Sequence, residues 1–330
     1  MIKRFSIVLC LAILSFSCSK EDNAIIDKPI PEDPNPPITD NNLYDSNNYI
    51  PVTKEEIAYY RDIDLNLRGL KLKESLNKLV TKTHRHLKYT PDVWNASKIT
   101  DEDPDNPNNV LLIYGWPHGE SNKDVHSRSL DKERRNTSGT SNPNLRDKLW
   151  EREHVYAKSL ANPKLVTDKY PGYTEIGLIA GTDVHNLRPI NGEWNNTRGN
   201  LKFVDGKGNS GKRGNYWFPG EEWKGDVARM MMYMFVRYEQ QCHPGAIGEG
   251  SILFFNKGER DGMIDLFLKW NEEDPVSEIE IKRNDYHGNP NNQYSQGNRN
   301  PFIDNPYLAN LIWGNDNGKL KLSENKWAKK

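Results

Sequence analysis

Two segments of this chain gather residue types that can do chemistry on a charged substrate. The first is Leu149-Trp150-Glu151-Arg152-Glu153-His154-Val155-Tyr156-Ala157-Lys158. The second runs from Thr182 to Asn200 and holds Asp183, His185, Arg188, Asn195 and Arg198 beside an Asn191-Gly192 turn signal. A histidine with an ordinary pKa of about 6.5 can act as a base near neutrality. Glutamate and asparagine oxygens are hard ligands suited to Mg²⁺ or a similar ion, which keeps several waters and needs only one or two protein carboxylates. Phosphodiester hydrolysis requires a base for water, a cation where charge develops, and positioning. Glu153, His154 and Asn195 are the right types for those tasks. Spacing alone leaves a buried, satisfied Glu-His pair open as the alternative. Neighbours on a regular strand also point to opposite faces, so Glu153 and His154 can serve one site only where a strand ends or bends.

Other reactive residues carry weaker signals. His84 and His86 sit in a basic helix end, where cations suit the helix dipole. His118, His126 and His287 fall in polar loops, and His185 reads as a hydrogen-bonder that orients a turn. There is no CxxC and no HExxH, which argues against a closed zinc site. Asp101, Asp103 and Asp105 read as an acidic turn. Arg188 and Arg198 can grip backbone phosphates or pair with local acids such as Asp183 or Glu193.

The elements that must position these groups are partly visible. Thr53 with Glu55 and Glu56 marks a helix start, and Leu72, Leu76, Leu79 and Val80 recur at helical spacing. Val110 to Tyr114 reads as a short strand, 117–147 as a long loop and Tyr216 to Phe218 as a strand. Trp223 to Gln240 carries Val227, Met230, Met231, Met234, Phe235 and Tyr238 in steps of three and four. That pattern predicts an amphipathic helix whose methionines are core. Ile264 to Trp270 and Val276 to Arg283 read as two more helices. The fold class expected is mixed α+β with many loops.

At the N-terminus, residues 1–18 combine Lys3 and Arg4 with an apolar run from Phe5 to Phe16. The run is too short to span a bilayer and the right length for a secretory signal. It ends at Cys18, which resembles a bacterial lipoprotein processing site and marks Cys18 for lipidation. Residues 19–52 are rich in Pro, Asp and Asn and read as a disordered tether. Residues 19–50 carry seven acids against two lysines, so the remainder is close to neutral. A nucleic-acid binder often has a clear basic excess; here any phosphate affinity must come from a local patch or a metal. If Cys18 is acylated, Cys242 has no disulfide partner and reads as a bland position near a helix end. The domain expected is 53–330.

The site segments resemble the bacterial endonuclease I family, nucleases of the ββα-metal type. The resemblance rests on Arg152-Glu153-His154-Val155 and on Asp183, His185, Asn186, Leu187, Pro189, Gly192, Asn195, Arg198, Gly199 and Asn200 in order. It extends to Asn108 through Tyr114, to Glu222–Arg229 with Tyr233-Met234, and to Asp274–Ser277, Glu280, Arg283-Asn284 and Gln296–Phe302. It spans roughly residues 55–315 and implies a ββα-metal nuclease core with surrounding helices and long loops.

The same resemblance implies roles. His154 would activate water, and Glu153 and Asn195 would hold Mg²⁺ or another divalent cation such as Ca²⁺ or Mn²⁺. The products would carry 5′-phosphate and 3′-hydroxyl ends. The expected activity is non-specific cleavage of DNA, and of RNA as a further substrate, by an exported enzyme that is either secreted or held at the outer membrane or cell surface by a lipid anchor. The alternative is a catalytically inactive nucleic-acid-binding surface lipoprotein of the same fold. The chain departs from the family where Tyr156-Ala157 follow the catalytic segment. It also has no arginine between Lys158 and Thr182, so Lys164, Lys169 or Arg188 must stand in as the phosphate-gripping cation.

Overall fold

Thr53 opens the first helix through a capping box. Its hydroxyl accepts the Glu56 N–H at 3.0 Å while the Glu56 carboxylate reaches back to the Thr53 N–H. Helix α1 (Lys54–Tyr60) follows, then α2 (Gly69–Thr83), which buries Leu72, Leu76 and Val80 along one face. The computed structural model describes residues 51–117, 128–167, 180–255 and 261–328. The segments 1–18 and 19–50, His118, His126 and Lys169 therefore lie outside the described residues.

Helix α3 (Asp92–Thr100), not signalled by sequence, leads into strands β1 (Glu102–Asp103) and β2 (Asn106–Leu111). The acidic turn is the tip of this hairpin, with the Asp105 N–H donating to Asp103 Oδ1. The strand expected at Val110–Tyr114 is displaced: β2 stops at Leu111, and Tyr114 takes a φ of 69°. Strand β3 (Ser129–Asp131) completes an antiparallel β1-β2-β3 sheet, and α4 (Pro143–Arg146) is a single turn. Both interrupt the stretch expected to be loop.

The element order then becomes strand, strand, helix. Strand β4 (Trp150–His154) pairs antiparallel with β5 (Leu187–Asn191), in the register Glu151↔Ile190, Glu153↔Arg188 and His154↔Leu187. Asn191 ends β5 and starts α5 (Gly192–Arg198), its side-chain oxygen accepting from the N–H groups of Glu193 and Trp194. Gly199 closes the helix at a φ of 52°, where a side chain would be strained. This is the ββα unit that the resemblance implied.

Three short strands, β6 (Lys202–Phe203), β7 (Gly211–Arg213) and β8 (Tyr216–Phe218), precede the central helix α6 (Lys224–Tyr238). The expected amphipathic helix is buried all round: every residue from Gly225 to Tyr238 is in the interior. Two of its charged members are paired in the interior. Arg229 pairs with Glu280 at 2.6 Å, and Asp226 pairs with Arg188 at 3.0 Å. Strands β9 (Ile252–Leu253) and β10 (Met263–Ile264) form a small ladder. Helices α7 (Asp265–Glu273), α8 (Glu278–Gly288), α9 (Pro301–Asp304) and α10 (Leu308–Trp313) complete the described chain. Ser277 and Glu280 form a second capping box that starts α8. The molecule is mixed α+β, as expected.

Two histidine readings change. His84 caps the end of α2 but is buried within 3.9 Å of Asp183, and burial lowers its pKa to about 4. It is neutral at physiological pH, so no charge–dipole argument applies. His287 is interior in α8, its ring 5.7 Å from that of His185.

Candidate active site

Strand β4 is open on one side. Among the described residues it pairs with β5 on one edge, and on the other it makes only a single bridge, Trp150 with Arg135. Four consecutive residues, Glu151 to His154, border a cleft of about 740 Å³ that Asn195, Lys158 and Tyr89 also line. Side chains of both parities share the cleft because it lies at the open edge and end of the strand rather than over one face. That geometry answers the facing problem raised by the Glu153-His154 neighbours.

His154 is nearly buried, and its Nε2 lies 2.8 Å from the carbonyl oxygen of Gly181. A carbonyl only accepts, so Nε2 carries the proton and Nδ1 is the bare, basic nitrogen. The Tyr89 ring stacks on the imidazole at 5.8 Å. Burial, followed by the charges of Lys158, Arg152 and Arg198, lowers the His154 pKa to about 3. The ring is therefore neutral in the free protein.

Glu153 is 2% exposed. Its Oε1 accepts from the Tyr114 hydroxyl at 3.2 Å and lies 3.4 Å from Arg198 Nε. Burial outweighs Arg198 and raises its pKa to about 7. Asn195, on α5, donates through Nδ2 to Glu151 Oε2 at 2.6 Å. Glu151 is itself held by Arg146 and Asn136.

A buried carboxyl with one neutral donor, beside an amide on the same cleft, is a hard-oxygen pair of the kind that suits a divalent ion coordinated mostly by water. Among the described residues no group of three or more His, Cys, Asp or Glu is arranged to hold a metal ion.

The structure buries both arginines. Arg188 is interior, paired with Asp101 at 2.7 Å and Asp226 at 3.0 Å, and does not line the cleft. The sequence left phosphate contact and acid pairing open for Arg188, and the structure holds an acid pairing, with Asp101 and Asp226 in place of Asp183 or Glu193. Arg198 is also fully buried. Besides facing Glu153, it donates to the carbonyls of Val155 at 2.7 Å and Gly199 at 3.0 Å. It clamps the strand end and the Glu153 carboxylate rather than reaching solvent. Lys164 does not line the cleft either.

The cations that do line it are Arg146, Arg152 and Lys158. Arg152 packs its guanidinium 3.4 Å from the Tyr89 ring centre and 4.0 Å from that of Trp94. Lys158 is exposed, and partial burial of its ammonium followed by the Arg152 charge depresses its pKa. It forms no ion pair with the described carboxylates.

Residues 68–307 match the sequence profile of the Endonuclease I family, well over half of the chain. The chain belongs to the endonuclease I family. An extracellular ribonuclease of Bacillus subtilis (strain 168) is 39% identical over 274 residues, covering 78% of this chain and 81% of its own length. Another extracellular ribonuclease, of Bacillus amyloliquefaciens, is 37% identical over 275 residues, with 78% of each chain covered. As a member of that family, the protein is a nuclease, a hydrolase of nucleic-acid chains.

Sequence reasoning missed several residues of this endonuclease I cleft. Glu151 had a usable signal, since it stands two residues before Glu153 and so on the same face of a strand. Lys158 closes the first reactive segment and could have been weighed as a cleft cation. Tyr114 and Gly181 had none, because their contacts with Glu153 and His154 span 39 and 27 residues.

Proposed function

We infer that this endonuclease I is an exported, divalent-metal-dependent enzyme that cuts DNA and RNA without reading their sequence. In this reading His154 is the general base, and Glu153 and Asn195 hold the ion. The observation that carries it is the fixed imidazole: Nε2–H is committed to the Gly181 carbonyl, which leaves Nδ1 bare in the cleft that Glu153 and Asn195 line.

His154 Nδ1 takes a proton from the water that attacks phosphorus. In the free protein, burial first and then neighbouring cations hold the imidazole's proton affinity down. A phosphodiester bound beside Lys158 and Arg152 offsets those charges and raises that affinity when substrate is present. Arg198 and Tyr114 hold the Glu153 carboxylate in place. A bound Mg²⁺, or Mn²⁺ or Ca²⁺ in its stead, would neutralise charge developing on the departing 3′ oxygen, consistent with 5′-phosphate products. The cleft cations suit backbone phosphates, contacts that carry no base information.

RNA is included among the substrates because both relatives are named ribonucleases, and export because both are named extracellular. The signal-like residues 1–18 point the same way, with Cys18 as the lipidated anchor.

The test is cleavage of supercoiled plasmid and of RNA in Mg²⁺, Mn²⁺, Ca²⁺ or chelator. Wild type cuts both only with metal, and His154→Ala lowers the rate by about 10²–10⁴. Intact plasmid and RNA with wild type in every metal would overturn the reading. For the anchor, Cys18→Ser moves the protein from the detergent phase to the aqueous phase on partitioning. Aqueous partitioning of the wild type would exclude lipidation.

A further inference from the structure

Glu151 lies in the cleft but has no part in the chemistry assigned above. Its carboxylate is unusually well provided with donors. Arg146 donates through Nε to Oε1 at 3.0 Å and through a terminal nitrogen to Oε2 at 2.9 Å. Asn136 Nδ2 donates to Oε1 at 2.6 Å, and Asn195 Nδ2 to Oε2 at 2.6 Å. A carboxylate only accepts, so the end of the Asn195 amide that meets it must be the nitrogen. The other end, Oδ1, is the one left to the cleft, and no described residue hydrogen-bonds it.

We propose that Glu151 is a positioning residue for Asn195: held by Arg146 and Asn136, its carboxylate fixes the amide so that Oδ1 is presented to the divalent ion. The proposal rests on the reading of Asn195 as an ion ligand. Without Glu151 the amide rotates freely and offers nitrogen, which repels a cation, as readily as oxygen. Arg146 and Asn136 flank the 136–146 segment, so the same carboxylate ties that segment to the helix that bears Asn195. Partners that orient a metal ligand in this way are worth about 10–100-fold in metal affinity.

The test uses the full-length protein and two readouts of the metal midpoint. One is the rise in melting temperature with Mn²⁺ or Mg²⁺ alone, without nucleic acid. The other is the metal dependence of plasmid nicking. Glu151→Ala raises both midpoints about 10–100-fold. On an Asn195→Ala background the same substitution adds no further shift, because the two act through one ligand. A midpoint within about twofold of wild type, or shifts that simply add on the double variant, would overturn the proposal. If circular dichroism shows Glu151→Ala unfolded by its orphaned Arg146, the pair Glu151→Leu with Arg146→Met removes both charges and is scored by the same limits.

A wild type that shows neither metal-induced stabilisation nor metal-dependent cleavage sinks the underlying reading instead. A wild type that responds to metal, with Asn195→Ala losing the response and the Glu151 variants keeping it, sinks only this proposal.

Discussion

Glu153 and His154 are neighbours moved in opposite directions by one cause. Burial disfavours the charged form, so it raises the carboxyl to about 7 and lowers the imidazole to about 3. For Glu153 the consequence can be measured. Unfolded, the carboxyl titrates near its ordinary 4.5; folded and without metal, near 7. The folded chain thus binds more protons between those values. The stability this contributes is full below about pH 4.5 and lost as pH rises through about 7, at most about 3 kcal/mol. In chelator, the melting temperature should fall from pH 5 to 8, and Glu153→Gln, which cannot ionise, should flatten the fall. An equal slope in both proteins would remove Glu153 as its source. Residue types made Glu153, His154 and Asn195 candidates, spacing left a buried Glu-His pair open, and only the family resemblance gave the three their roles. Their shifted pKa values could not be read from the chain, because burial is a property of distant residues.

At the scale of elements, the site depends on an open strand edge and on one loop carbonyl. Gly181 accepts the His154 N–H and is itself squeezed, with a Cβ at that position only 2.5 Å from the Val166 carbonyl oxygen. Gly181→Ala therefore moves the carbonyl that fixes the tautomer. The variant should lose about 1–3 kcal/mol of stability in a denaturant melt. Its kcat should fall at least about tenfold, while KM changes little. An unchanged kcat would mean that His154 does not depend on this carbonyl. Local signals placed elements well where they were short-range: Thr53 and Glu56 form the capping box at the start of α1, and the helix expected over Val276 to Arg283 is α8. They placed α6 but not its burial, because its sequence carries charges that predict a wet face. Asp226 and Arg229 are instead interior, because partners from other elements pair with them.

Across the whole molecule, those partners form a buried ionic core behind the cleft. Asp101 meets both Arg188 and Arg283, Arg188 meets Asp226, and Arg229 meets Glu280. Removing one member leaves an uncompensated interior charge, which costs about 3–5 kcal/mol. Arg188→Ala should show a loss of that size on urea unfolding. KM for nucleic acid, measured well below the melting range, should stay within about threefold of wild type. A large rise in KM without loss of stability would restore Arg188 as a phosphate contact. The network joins residues 101, 188, 226, 229, 280 and 283, so it couples the strand that pairs with Glu153 to the central helix and to α8.

The sequence by itself determined the chemistry available and the family. Residue types and their order over some 240 positions are local facts, and they survive without coordinates. It also marked the start of α1, because a capping box is satisfied within four residues. Only the tertiary structure decided which cations face solvent. Arg188 and Lys158 look alike in a sequence, and their difference is whether Asp101 and Asp226 come within ion-pairing distance. It likewise decided how a strand presents Glu153 and His154 together, since an open edge is defined by the partner that is not there. And it brought the Asn195 amide onto the Glu151 carboxylate, 44 residues away, through a contact that no spacing rule encodes.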